Sequence, residues 1–229
     1  VGKFSRSMSF APDWKIIREL FRFGLPTGFQ GIVMNLAGVL MLRFIGSLQF
    51  SSQAQAAYAV GYTELFSLIT WTSVGLMGAT AAIAGQNLGA GYPERSKSSA
   101  LVASVIGVAV ATFVGLAFLV FPRLLLSIFG MDDGIQYELG RQLLAYLAVS
   151  GIFVTVALIY TGGLQGTGDT RSPLYISIVS QVVIPIGLCT YVDVTRGLEP
   201  SDIWLAIVLG HIVRAVLSLS LIHISEPTR

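Results

Sequence analysis

The sequence predicts an all-α, polytopic membrane protein with six transmembrane helices, and three observations carry that prediction. The 229-residue chain is 54% hydrophobic and only 11% charged, against about 45–50% and about 25% for a soluble globular domain. So few charges cannot cover a water-exposed globule, which makes lipid the matching solvent. Six apolar stretches then approach or exceed the roughly 20 residues that a bilayer core about 30 Å thick requires. Finally, the connections between them are short and marked by Gly, Pro, Asn and Asp. Runs of this length without period-2 alternation speak against membrane strands.

The first stretch covers about Gly24 to Gly46 and the second about Ala54 to Ala84, long enough to tilt or to start in the interface. The third spans Ala100 to Phe121, the fourth Leu143 to Leu164, the fifth Pro173 to Tyr191 and the sixth Ile203 to Ser218. The connections are Gln49–Gln53, Gly89–Ser98, Arg123–Gln142, Gly166–Ser172 and Asp193–Asp202. Ahead of the first span, Phe10 to Phe23 (FAPDWKIIRELFRF) mixes Trp14, Ile16, Ile17, Leu20, Phe21 and Phe23 with Lys15, Arg18 and Arg22. That pattern describes an amphipathic helix, either lying among lipid headgroups or packed on protein as a linker. Residues 1–22 are accordingly taken as a linker and 23–218 as the six-helix unit. Pro26 and Pro185 lie in or beside spans and can kink them.

Charge sets the expected orientation. Lys3, Arg6, Lys15, Arg18, Arg22, Arg95, Lys97 and Arg171 fall on one side, and Arg43, Arg123, Arg141 and Arg196 on the other. The excess of eight over four places the N-terminus and the two glycine-rich loops in the cytoplasm. Asp132, Asp133, Glu138, Asp193, Glu199 and Asp202 then face outward. The scattered bases do not form the stripe that nucleic acid requires. A single cysteine, Cys189, excludes an internal disulfide and a Cys-based metal cluster. No cofactor or metal is expected.

Two loop motifs stand out. Gly85-Gln86-Asn87-Leu88-Gly89-Ala90-Gly91, followed by Tyr92-Pro93-Glu94-Arg95, ends the second span with glycines that permit a tight reversal. Gln86 and Asn87 can bond carbonyls left free at the helix end. The glycine spacing is wrong for a dinucleotide fingerprint, and no strand precedes it. The second motif is Leu164-Gln165-Gly166-Thr167-Gly168-Asp169-Thr170-Arg171-Ser172-Pro173, where Asp169 or Thr170 can cap the fifth helix and Pro173 suits its first turn. Both motifs have a structural reading, and a gating role is the alternative.

GQNLGAGYPER, LQGTGDTRSP and the FGLP that opens the first span resemble multidrug and toxic compound extrusion (MATE) transporters, in the order and spacing of that family's second half. The resemblance covers about Phe10 to Ser218, and FAPDWKIIRELFRFGLP resembles the link between the two lobes. It implies one lobe of a twelve-helix antiporter that exports cationic or amphipathic organic compounds against Na⁺ or H⁺. Many members carry a Glu in the seventh helix and an Asp in the tenth, whereas Pro26–Leu40 and Leu143–Leu164 contain no acid. Gln30 and Asn35 stand near the first of those positions. An amide does not titrate, so the coupling site is expected in an N-terminal lobe that this chain lacks. Both ends look cut. The chain starts at Val1 with no initiator Met and no signal peptide, and Leu219–Arg229 (LSLIHISEPTR) resembles a translated sequencing-library adapter. On that reading His223, Glu226 and Pro227 carry no functional weight.

The remaining candidates line a substrate cavity: Gln30, Asn35, Tyr58, Tyr62, Glu64, Tyr146, Tyr160 and Gln181. Glu64 is an acid among apolar residues. It either faces the cavity and attracts cations or sits at the outer interface, and it could pair with Arg43. His211 reads as a packed polar residue, and Arg214 as a side chain reaching the cytoplasmic headgroups. A flippase of lipid-linked saccharides is the alternative function, but it calls for more buried cations. An intramembrane enzyme would need a metal cluster, paired acids or an activated nucleophile, and the spans offer none.

Overall fold

The computed structural model describes residues 12–224, with side chains as far as Leu221. Lys3 and Arg6, counted for the charge bias, lie outside the described residues, as do the start of the linker, the His223 side chain, Glu226 and Pro227. Six helices are long and apolar enough to cross a membrane: α1 (Trp14–Gly46), α2 (Ser51–Gly89), α3 (Pro93–Val120), α4 (Gly134–Gly166), α5 (Arg171–Arg196) and α6 (Pro200–Leu221). The last continues as helix to Ile224. A short helix, Pro122–Ser127, occupies part of the connection between α3 and α4. No strand occurs among the described residues.

The amphipathic segment is not a separate helix. Asp13 caps α1 by accepting from the backbone N–H groups of Lys15 (2.9 Å) and Ile16 (3.4 Å), and the helix then runs unbroken through Gly24 and Pro26. Pro26 withdraws a donor from the carbonyl of Arg22, but its fixed φ suits a helix, and Gly24 keeps a negative φ. Nothing there stops the helix. The boundary expected after residue 22 therefore falls inside α1. With 33 residues, the helix is about 50 Å long at a rise of about 1.5 Å per residue, well beyond the hydrocarbon. The other spans likewise outrun their apolar stretches at one or both ends.

Two helices contain a wider π turn. In α2 it covers Ala59–Leu65, where Phe66 N–H donates to Gly61 C=O at 2.9 Å. In α5 it covers Val179–Val183 and immediately precedes Pro185. A proline there has no N–H for the Gln181 carbonyl, and its ring would press on that carbonyl in a regular α turn. The π turn relieves the clash with the helix unbroken.

Helices α4 and α6 form the centre and are the most deeply buried of the six. α4 packs on α2, α3 and α6, while α5 joins α6 to α1. The core includes Ile45, Phe118, Leu143, Leu144, Leu147, Ile159, Ile203 and Trp204, all essentially inaccessible. Leu25, Phe29, Ile32, Leu101, Val105 and Phe113 stay exposed, as suits side chains of membrane-spanning helices that meet lipid.

Helices α2 and α4 meet backbone to backbone. A Cβ added at Gly162 would stand 2.2 Å from the Met77 carbonyl oxygen, and one at Gly166 2.3 Å from that of Ala81. A Cβ at Gly85 would in turn meet the Gly166 oxygen at 2.8 Å. Only glycine fits such an approach. The contact also places both glycine-rich turns at the same end of the lobe, as the sequence predicts.

Replacing Gly166 by Ala forces α4 away from α2 and is expected to cost about 1–3 kcal/mol. Gly78→Ala, where an added Cβ meets open space, is the matched control. Thermal unfolding of the detergent-solubilised chain should give a lower Tm for Gly166→Ala alone.

Candidate functional site

Both glycine-rich turns close by the same bonds. After α2, Tyr92 N–H donates to Asn87 C=O at 2.8 Å with Gly91 at φ +81°, and after α4, Asp169 N–H donates to Leu164 C=O at 2.9 Å with Gly168 at φ +94°. These are helix endings in which a left-handed glycine lets the next N–H reach back. The Asn87 amide donates to Ile83 C=O at 2.9 Å within its own helix. Gln86 and Gly89 are exposed at the helix end. Asp169 caps α5, its Oδ1 accepting from Arg171 N–H (3.1 Å) and Ser172 N–H (3.0 Å), while Thr170 is buried beside it.

At this end Gln30 ties three helices together. Its amide donates to Ser177 Oγ at 2.8 Å and to Pro173 C=O at 3.4 Å, and its oxygen accepts from the Gln165 amide at 3.3 Å. Gln30 is therefore a buried brace between α1, α4 and α5, and both its polar ends are occupied. Pro173 serves it through the carbonyl.

The lobe interior holds an aromatic column. Trp204 stacks on Tyr58 (ring centroids 6.3 Å apart), Tyr58 on Tyr62 (5.0 Å), and Tyr62 on both Phe66 (5.5 Å) and His211 (6.4 Å). Offset stacks of this kind add to the burial of each ring. They pin α2, at its π turn, against α6. The Ser150 hydroxyl of α4 bonds His211 Nδ1, and Ser73 of α2 bonds Thr155 of α4 at 2.8 Å. His211 is thus a packed polar residue, as expected.

Arg214 departs from expectation. It is 3% exposed, so the side chain does not reach the headgroups. The spacing Trp204, His211, Arg214, Ser218 steps along one stripe of a helix, and that stripe faces the bundle. Arg214 is the one buried side chain with a permanent charge among the described residues. A charge at the centre of a spanning helix costs on the order of 2.5–3.5 kcal/mol on insertion scales.

The remaining candidates scatter. Tyr58 and Tyr62 belong to the column, and Gln181 is buried in the α5 π turn with its amide nitrogen unpartnered. Tyr160 borders a cavity of about 540 Å³ near the glycine-rich turns, and Tyr146 one of about 480 Å³ at the opposite end. Asn35 is exposed and bonds only its own helix, at Gly31 C=O (2.9 Å). Glu64 is exposed on the outside of the lobe, and no ion pair joins it to Arg43 among the described residues. The eight cavity candidates therefore do not surround one cavity within this chain. Ser150, Ser177 and Trp204 were not singled out from the sequence. The inward stripe on α6 was the signal for Trp204.

The MatE family profile matches residues 26–190. The chain is 27% identical over 227 residues to a probable multidrug resistance protein NorM of Mesorhizobium japonicum, covering 96% of this chain and 46% of that protein. It is 28% identical over 219 residues to the multidrug resistance protein MdtK of Pectobacterium atrosepticum, covering 94% and 47%. Its fold matches an outward-facing multidrug resistance MATE family transporter with a TM-score of 0.84 at 19% identity, over 95% of this chain and 48% of that one. For an inward-facing one the TM-score is 0.74 at 19% identity, over 95% and 51%. The chain spans about half the length of the relatives it matches.

Replacing His211 by Phe keeps a ring in the stack but strands the buried Ser150 hydroxyl, at an expected cost of about 1–3 kcal/mol. Adding Ser150→Ala should return part of that loss. A double-mutant cycle read by thermal unfolding checks this, and additive losses would mean that the bond contributes nothing.

Proposed function

Because the chain belongs to the MatE family, we propose that it is one six-helix lobe of a secondary antiporter. The whole transporter exports cationic or amphipathic organic compounds, drugs and toxic metabolites among them, in exchange for Na⁺ or H⁺. The observation that carries this reading is the family match over residues 26–190, joined to relatives of twice the length that are multidrug resistance proteins by name. A second lobe completes the cavity, and the assembly sits in a bacterial plasma membrane with both glycine-rich turns in the cytoplasm.

The lobe's own residues support a division of labour. No acid is buried among the described residues, and the α1 positions where a titrating group would serve carry Gln30 and Asn35. Coupling to Na⁺ or H⁺ is therefore assigned to the second lobe. This lobe contributes a stiff wall: the column pins α2 to α6, and the Gln30 brace holds α1 to α4 and α5. Two glycine-packed helices then move as a unit. The exposed Glu64 lies on a surface that faces either lipid or the second lobe. Carboxylate in lipid is costly, so the reading places it toward the other lobe, where it attracts cations. Transfer of a lipid-linked saccharide is the second reading. A diphosphate would call for several buried cations, and Arg214 alone supports that reading less well.

In a drug-sensitive bacterial strain, the two-lobed protein should confer resistance and this chain alone should not. Energy-dependent efflux by the lone chain would overturn the division into lobes. In the two-lobed protein, Glu64→Gln should slow export of cations by about 1.4-fold to fivefold, the effect of roughly 0.2–1 kcal/mol from an exposed charge. Neutral compounds should be unaffected in the same liposome flux measurement.

A further inference from the structure

Arg214 has no task in the export reading as stated so far. Its guanidinium is buried, and among the described residues no carboxylate pairs with it and no hydrogen bond reaches it. The Nε atom is inaccessible and unpartnered. One turn further along the same stripe, Ser218 Oγ is also buried and unpartnered. One turn back, the unpartnered Gln181 amide nitrogen lies 3.5 Å from where a Cβ on Gly210 would stand. Three groups able to donate thus lie along two turns of α6 without a partner among the described residues.

A hydroxyl or an amide can be satisfied by water. A guanidinium inside a membrane domain calls for an anion, because an unpaired buried charge stays destabilising however well it is packed. Nothing nearby supplies one. His211 Nδ1 is engaged by Ser150, and no Asp or Glu is buried among the described residues. Tyr62 stacks on Tyr58 and on His211, one turn before Arg214 on α6. Its ring is only half-buried, unlike those of Tyr58, Phe66 and Trp204 in the same column. It also sits in the π turn of α2, a wider turn of the kind frequent at functional sites.

We propose that Arg214 receives the carboxylate of an amphipathic organic acid or zwitterion, whose apolar body rests on the aromatic column once Tyr62 moves aside. The planar guanidinium offers paired N–H donors that match a carboxylate's two oxygens, and Ser218 and Gln181 supply further donors. The inference rests on the export reading and narrows it: compounds carrying a carboxylate are ligands of this lobe, and cations are attracted at Glu64.

The test uses the chain in phosphatidylcholine nanodiscs. Trp14→Phe and Trp71→Phe, both at highly exposed positions, leave Trp204 as the sole emitter, one stack away from Tyr58. The probes are 4-butylbenzoate, its amide and 4-butylbenzylammonium. The benzoate should change Trp204 emission saturably and bind about tenfold more tightly than the amide, as a charge-assisted pair would. Arg214→Gln should remove that preference and Arg214→Lys retain part of it, with size-exclusion profiles reporting folding. Equal or tighter binding of the amide or the ammonium to the parent chain overturns the proposal without any substitution at Arg214. So does a benzoate preference that survives in folded Arg214→Gln. If the preference is absent while the two-lobed protein still exports amphipathic cations, only this inference falls.

Discussion

Two helices touching through their backbones hold this lobe together. In lipid the apolar surface of a helix gains little by meeting another apolar surface, since acyl chains are just as oily. Association must come from close van der Waals packing and interhelical hydrogen bonds. Gly162 and Gly166 of α4 let the carbonyls of Met77 and Ala81 come within the space a Cβ would fill, and Gly85 returns the contact from α2. Everything else is arranged around that seam. It sets the α4 angle, brings the two glycine-rich turns together, and leaves α6 to close the other flank of α4.

The polar interior follows from the same geometry. With α2, α4 and α6 fixed around one axis, buried hydroxyls find one another, as Ser73 with Thr155 and Ser150 with His211 do. Gln30 does the same for α1 and α5. Each bond joins helices with no covalent reason to stay adjacent, so it specifies which helix faces which. Arg214 is the exception. It carries the cost of burial without a partner, and a group that the fold keeps at such cost is a natural place to look for a ligand.

The two π turns bear on how such a lobe could move. The turn in α2 presents Tyr62 to His211, and the turn in α5 brings the Ser180 carbonyl against Gly210, where a Cβ would stand only 2.5 Å away. Consecutive residues of α6 thus meet both irregular turns. α6 is therefore the element that joins the two turns by direct packing.

Six oily runs, their short glycine-rich joints and the placement of both joints at one end were legible in the sequence. They depend on hydropathy, length and turn chemistry, which are local properties. The family was legible too, because its motifs lie in those joints. What the chain order could not reveal is the direction in which a side chain points once the helices assemble. Gln30 reads as a cavity amide until Ser177, 147 residues away, accepts a hydrogen bond from it. Arg214 reads as a headgroup contact until the stripe it shares with His211 turns inward, and which of its two readings Glu64 takes depends on what its exposed face meets. The span of a helix is written in consecutive residues, but its rotation is settled by contacts between distant ones, and only the packed tertiary structure contains those.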